Sequence, residues 1–237
     1  VKKNPPGRNG VRNLILKRLP QSDLKRIRKA GSDTEVDQRE LIYDVHQPIE
    51  RVYFPETGVV SIVTVLEDGR QNEVATVGYE GMVGLPVFFG ANKSATKAFW
   101  QISGRALALD ASFLENEKNN GSALSDLLHL YTQGFFTQLA QSVTCNRLHT
   151  VEQRCARWLL MTHDRVEGDE FDLTQDFLAQ MLGVRRTGVT EVAGRLQKAG
   201  LIAYSRGHIR IRNRKGLEKV SCECYEVVAQ EFRRLLS

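Results

Sequence analysis

The chain has 237 residues, 41% hydrophobic and 26% charged, with a formal net charge of +5; that length holds one large domain or two ordinary ones, each with its own core. No stretch approaches the roughly 18 consecutive apolar residues of a membrane span, and the opening VKKNPPGRNG has no apolar run behind its lysines, so neither a membrane nor a secretory protein is expected, and the location expected is cytoplasmic. The four cysteines, Cys145, Cys155, Cys222 and Cys224, are few, and the last two are too close in sequence for an easy disulfide, so reduced thiols are expected.

The charge is unevenly spread. Residues 1–29 carry ten Lys/Arg against one acid, and residues 185–219 carry ten against two; residues 30–118 carry seven against fourteen and residues 119–184 four against eight. An acidic middle beside a compact basic block restricts any polyanion-binding surface to a small part of the chain. The N-terminal excess reads as a solvated helix and arm.

From about residue 39 to 110 short β-rich runs follow one another: LIY (41–43), RVYF (51–54), VVSIVTVL (59–66), NEVATV (72–77), AFWQI and RALAL (98–109). Asp68-Gly69 between two of them is a hairpin signal. Many strands without intervening helices predict a sandwich or jelly-roll barrel. After the turn-like Asn119-Asn120-Gly121-Ser122 the period changes. Leu124, Leu128, Tyr131 and Phe135 form one apolar row on a long helix, and Phe136, Leu139 and Val143 form a second. One face is expected on the barrel and the other along a partner helix, with Leu124, Leu128, Tyr131 and Phe135 assigned to the dimer seam. A second helix starts near Thr150, with Val151, Cys155, Trp158, Leu159 and Thr162 on one side, and VEGDEFDL reads as a loop.

Residues 173–182, LTQDFLAQML, make a short amphipathic helix with Thr174 as N-cap; Gly183 ends it. A second helix runs from Arg185 to Lys198 and buries Val189, Val192, Ala193 and Leu196. Helix, glycine turn, helix is the helix-turn-helix arrangement, whose second helix enters the major groove. Two arginines at a helix N-terminus oppose the backbone dipole by about 0.3–1 kcal/mol each, which an external anion would offset. Arg185, Arg186, Thr187, Thr190 and Glu191 are the predicted base and phosphate readers, with Arg195 beside them and Thr174, at the start of the preceding helix, as a further DNA contact. LIAYSRGHIRIRNRKG then alternates as two strands about Arg206-Gly207, predicting a wing that offers Arg206, His208, Arg210 and Arg212 to phosphates.

Barrel, long helix and winged helix-turn-helix in that order make the chain resemble the Crp/Fnr family of bacterial transcription regulators. The resemblance spans nearly the whole length and rests on PIERVYFPETGVVSIVTVLEDGRQNEVATVGYEGMVGL and LTQDFLAQMLGVRRTGVTEVAGRLQKAGLI. It implies an α+β chain: a jelly-roll, cyclic-nucleotide-binding-like sensor domain with an N-terminal helix (1–118), a dimerisation helix and hinge (119–148) and a winged helix-turn-helix domain (149–237). It also implies a homodimer on a two-fold-symmetric operator of double-stranded DNA, with RNA polymerase as a further partner. In cyclic-nucleotide-binding members a glutamate holds the ribose and an Arg-Ser pair the phosphate. Here the matching segment is Gly81-Met82-Val83-Gly84-Leu85, and the best match to the pair is Lys93-Ser94. A thioether and a lysine are poor substitutes, so tight cyclic AMP binding is not expected, and residues Met82, Val83, Leu85, Pro86, Phe88 and Phe89 read as a filled core or an apolar effector pocket. The effector is unassigned.

The cysteine cluster that iron–sulfur members carry ahead of the barrel is absent. Cys145 and His149 sit four residues apart with Cys155 following, but without a compact fourth ligand they make a poor zinc site; no metal and no cofactor is expected. No nucleophile–base set, P-loop or dinucleotide fingerprint marks an enzyme. The competing reading is a metabolite-sensing module with vestigial DNA binding.

Overall fold

Alternating apolar residues commit the first half to strands, as a computed structural model of residues 10–119 and 121–236 shows. The arm expected at residues 1–9 lies outside the described residues. Two short helices come first, α1 (Leu14–Lys17) and α2 (Gln21–Ala30). Fully buried Asn13 caps α1: its Oδ1 accepts from the Ile15 and Leu16 amides, and its Nδ2 donates to the carbonyls of Pro55 and Gly81. A buried amide is tolerated because both its ends are satisfied.

Seven strands follow: β1 (Ser32–Val36), β2 (Leu41–Tyr43), β3 (Arg51–Pro55), β4 (Val59–Val65), β5 (Gln71–Val77), β6 (Thr96–Ile102) and β7 (Gly104–Asp110). They pair antiparallel in two sheets, β1-β7-β3 and β2-β6-β4-β5. Asp68-Gly69 lies in the β4–β5 turn, with Gly69 at φ +82°. The sequence pattern misses β1 because SDTEV buries only Val36; pairing with β7, from Ser32 opposite Ala108 to Val36 opposite Gly104, makes it a strand. Helix α3 (Leu85–Phe88) precedes β6, and α4 (Ala111–Asn119) follows β7.

The long helix α5 (Ala123–Leu148) starts at Ser122, whose hydroxyl accepts from the Ser125 amide. Next comes α6 (Val151–Arg165), opened by a capping box between Thr150 and Gln153. Then follow β8 (Glu170–Asp172), α7 (Gln175–Leu182), α8 (Arg186–Lys198), β9 (Ile202–Ser205), β10 (His208–Ile211), α9 (Arg214–Val220) and α10 (Cys224–Leu236). The expected loop VEGDEFDL therefore contains a strand. Glu-Phe-Asp is one period of in–out alternation, and buried Phe171 pairs with Ile209 on β10.

Leu124, Leu128 and Tyr131 are buried inside their own chain, and Phe135 packs on the same core. This corrects the assignment of Leu124, Leu128 and Tyr131 to the dimer seam, since side chains already covered intramolecularly cannot also cover a partner; Phe135 is only partly covered. The row left exposed on α5 holds Phe136 (65% exposed), Ala140 and Val143 (72%), at spacings of four and three. Helix α10 also departs from the expected division, because Val228, Phe232, Leu235 and Leu236 join the core of the strand-rich half. Its seat on α5 needs Gly134, where a Cβ would lie 2.7 Å from the Phe232 ring.

A second core joins α6, α7, α8, β9, β10 and α9 to Val59, Val63, Phe99 and Ile102 of the larger sheet. Polar contacts reinforce this junction. Buried Arg165 donates from Nη2 to Glu80 Oε1 at 2.7 Å and from Nε to both carboxylate oxygens at 3.1 Å. Glu73 accepts from Trp158 Nε1 at 2.8 Å, and Ser61 Oγ lies 2.6 Å from both Glu73 Oε2 and Gln101 Oε1. One hydroxyl proton serves only one acceptor. A protonated Glu73 donating to Ser61, which donates on to Gln101, satisfies all three, and burial pushes the Glu73 carboxyl up to about 7.

A folded-state pKa above the ordinary carboxylate value means that folding binds a proton between the two values, so this group's contribution falls as pH rises from about 4.3 toward 7. Glu73→Gln, a mimic of the neutral acid, is expected to raise the melting temperature at pH 8 more than at pH 5. Thermal scans at the two pH values check it, and equal shifts would contradict the assignment.

Candidate nucleic-acid interface

The interface begins with helix α7 and its stop. Thr174 Oγ1 accepts from the Phe177 amide at 3.2 Å, and Gly183 takes the left-handed conformation at φ +62° that closes the helix. Arg185 then stands as N-cap of α8 in extended backbone, with no side-chain capping bond. Val189, Val192, Ala193 and Leu196 are buried, so the opposite face of α8 turns outward by default. Arg185, Arg186, Thr187, Thr190, Glu191, Arg195 and Lys198 are all exposed.

Within this face, Arg186 Nε lies 3.5 Å from Asp176, both mostly exposed, and Arg195 Nε lies 3.3 Å from Glu152. Exposed pairs of this kind are worth about 0–1 kcal/mol and yield readily to a stronger anion. Thr190 Oγ1 lies 2.8 Å from Gln175 Oε1 and 3.1 Å from the Arg186 carbonyl, which fixes its rotamer on the outward face. Thr174 is occupied as a cap, but its side chain stays exposed beside the turn.

Strands β9 and β10 form the wing, turning through Arg206 (φ +50°) and Gly207 (φ +82°), two positive angles as a two-residue hairpin requires. Ile209 and Ile211 point inward and Arg210 outward, and Arg212 follows the strand exposed. The third strand brings acids beside two of the predicted residues. Asp172 sits opposite His208 and Glu170 opposite Arg210. His208 Nδ1 lies 2.8 Å from Asp172 Oδ1, its Nε2 lies 2.9 Å from Glu170 Oε2, and Arg210 pairs with Glu170. Two carboxylates facing both ring nitrogens need two donors, the imidazolium form, so Asp172 and then Glu170 raise the His208 pKa. His208 and Arg210 are thus paired with acids of their own chain, because cross-strand register places a carboxylate beside each; these pairs are exposed and, like those on α8, yield to a stronger anion. Arg206 and Arg212 are the wing cations left outside this pairing.

The segment matching the cyclic-nucleotide site is interior. Met82 and Val83 are buried in the first core, and a Cβ on Gly84 would lie 2.6 Å from Val52. Leu85 is half-buried at the start of α3. Exposed Lys93 bridges to Pro48, while Ser94 Oγ bonds Thr96 Oγ1 at 2.8 Å.

The structure also revises the cysteine argument. Cys155 lies in the second core, where burial pushes its thiol up to about 12, away from Cys145 and His149. In its place Cys222 and Cys224, from the link into α10, approach them, and the four ligand atoms all lie within 4.8 Å of one another. Sequence spacing hid this because the two pairs are more than 70 residues apart; the i, i+4 pair and the C-x-C pair were the only signals.

A family model described as the Crp-like helix-turn-helix domain matches residues 153–220. None of the curated proteins compared with the chain by sequence matches it. Among solved structures, the chain is similar to FixK2 from Bradyrhizobium japonicum, with 21% identity, a TM-score of 0.68 and coverage of 81% of this chain and 98% of that one. It is similar to a protein from Eubacterium rectale described as a transcriptional regulator of the Crp/Fnr family (16%, TM-score 0.64, 87% and 96%). It is also similar to TTHB099, a transcriptional regulator of the CRP family from Thermus thermophilus (19%, TM-score 0.64, 79% and 96%). No helix among the described residues is long and apolar enough to cross a membrane. Residues 153–220 are therefore a Crp-like helix-turn-helix domain, set in a chain with the fold of regulators of the Crp/Fnr family.

Proposed function

We propose that the chain is a homodimeric, sequence-specific DNA-binding transcription regulator. The observation that carries this reading is the outward face of α8, where Arg185, Arg186, Thr187, Thr190 and Glu191 stand exposed beyond the Gly183 turn. In the major groove, Arg186 suits the O6 and N7 acceptors of guanine and Glu191 the N4 donor of cytosine, with Thr187 and Thr190 adaptable to either strand. Arg185, Arg206 and Arg212 suit backbone phosphates, which set position rather than sequence.

The exposed row Phe136, Ala140 and Val143 on α5 supports a two-stranded seam between subunits. Two-fold symmetry would then place the recognition helices on half-sites about 34–36 Å apart. Met82, buried where a ribose acceptor is needed, and Lys93, out on a loop, support a signal other than cyclic AMP.

Titration of the full chain against short duplexes at several salt concentrations tests the reading: affinity should fall steeply as salt rises and favour a two-fold-symmetric site. Binding to random and symmetric duplexes alike, or none, would favour a sensor with vestigial DNA contact. Arg186→Ala should weaken operator binding by about 5- to 150-fold, corresponding to about 1–3 kcal/mol, and relax base preference at one position. Arg212→Ala should weaken all sequences equally and reduce the salt slope by about 1. Phe136→Glu with Val143→Glu should yield a monomer by light scattering and remove the preference for symmetric sites; a dimer that persists would place the seam elsewhere.

A further inference from the structure

Four potential ligands from distant parts of the chain meet at one joint. Cys145 lies in the last turn of α5, and His149 is the residue that caps it, its amide donating to the Cys145 carbonyl at 3.1 Å. Cys222 lies in the link after α9, and Cys224 is the first residue of α10. All three thiols are buried, and their side chains form a small cluster separate from both cores. Cys145 Sγ is 3.5 Å from Cys222 Sγ, and Cys224 Sγ is 3.6 Å from His149 Nδ1.

These distances have a specific chemical meaning. Metal bonds of about 2.3 Å to sulfur and 2.0–2.1 Å to nitrogen, at tetrahedral angles, give ligand–ligand edges of about 3.8 Å for sulfur pairs and about 3.6 Å for sulfur and nitrogen. The cluster is thus sized for one ion. An iron–sulfur cubane, whose thiolates bind different irons, needs a wider set. A simple Cys145–Cys222 disulfide would leave the convergence of Cys224 and His149 unexplained.

The surroundings match a metal site independently. His149 turns its other nitrogen, Nε2, to Glu223 Oε2 at 3.3 Å, the carboxylate–histidine arrangement that orients a ligating imidazole. Three thiolates, one neutral imidazole and a divalent ion carry a net charge of −1, and Arg157, 8% exposed, lies at the same end of α5, its Nη2 3.3 Å from Ser142 Oγ. Arg157 Nε has no hydrogen-bond partner, so a buried donor is left free there.

We propose that Cys145, His149, Cys222 and Cys224 hold a single tetrahedral metal ion of the zinc type, a Cys3His site that fastens the end of α5 to the start of α10. Cys3His is a closed donor set suited to a structural ion, and thiolate softness selects zinc over magnesium or calcium. The site stands beside the bend at His149-Thr150 where α5 gives way to α6, so the ion would stiffen that bend as well.

The test uses the full chain purified under reducing conditions without chelator. Elemental analysis should find about one equivalent of zinc per chain, and the chelated protein should take up about one equivalent of Co2+ with the visible absorption of tetrahedral cobalt–thiolate. Cys222→Ser and Cys224→Ser should lose the metal, Cys155→Ser should retain it, and Glu223→Gln should weaken affinity by about 10- to 100-fold in competition with a chelating indicator. If the serine variants fail to fold, the Co2+ titration of the unaltered chain still decides. Neither zinc nor tetrahedral cobalt, iron accompanied by inorganic sulfide, or equal loss in Cys155→Ser and Cys222→Ser would each overturn the proposal, and none bears on DNA binding.

Discussion

The buried ion pair between Glu80 and Arg165 sets the relation between the two halves of the molecule. Each side chain is largely removed from water, so neither charge tolerates loss of the other; deleting one partner of such a pair costs about 3–5 kcal/mol. Arg165 ends α6, and α6 carries α8 and α9 against it. The direction in which α8 points is therefore referenced to the strand-rich half through this buried guanidinium–carboxylate contact, backed by Trp158 on Glu73. The apolar residues Val59, Val63, Phe99 and Ile102 complete the junction. Any rotation of the winged unit about the α5–α6 bend would have to uncover those side chains as well as part the ion pair.

Features set by local chemistry were legible in the sequence. Thr174 and Gly183 mark the ends of α7 because capping and left-handed backbone are properties of a few neighbouring residues. The apolar period of Val189, Val192 and Leu196 fixed the outward face of α8, and Arg206-Gly207 the wing turn. Features set by distant partners were not legible. β1 and β8 are strands because β7 and β10 pair with them, while their own sequences are mostly polar. The two apolar rows of α5 are equally hydrophobic on paper; which one meets the chain's own core depends on where α10 returns, and that helix packs on Tyr131 through Phe232 with ring centroids 6.0 Å apart. The cysteine cluster belongs to the same class, since nothing local to Cys145 announces Cys222.

The basic block of residues 185–219 is also less uniform in space than in sequence. β8 brings acids to the inner half of the wing, and Asp164 and Glu218 take up Arg214, while the cations at the start of α8 keep only weak surface pairing. Positive potential is thus concentrated at one end of one helix and at the wing tip. A distribution of this kind would direct the DNA contact proposed above to those two places rather than to any acidic surface.

Gly134 gives α10 its close seat, and its influence extends beyond packing. It lies eleven residues before Cys145, about 16 Å along the same rod at the usual rise per residue. Adding one methyl there would lift the Phe232 ring, tilt the terminal helix as a lever, and shift both sulfurs at its base relative to the pair anchored on α5. A substitution of the smallest kind, remote from every ligand, would in this way detune the proposed coordination sphere without replacing any of its four donor residues.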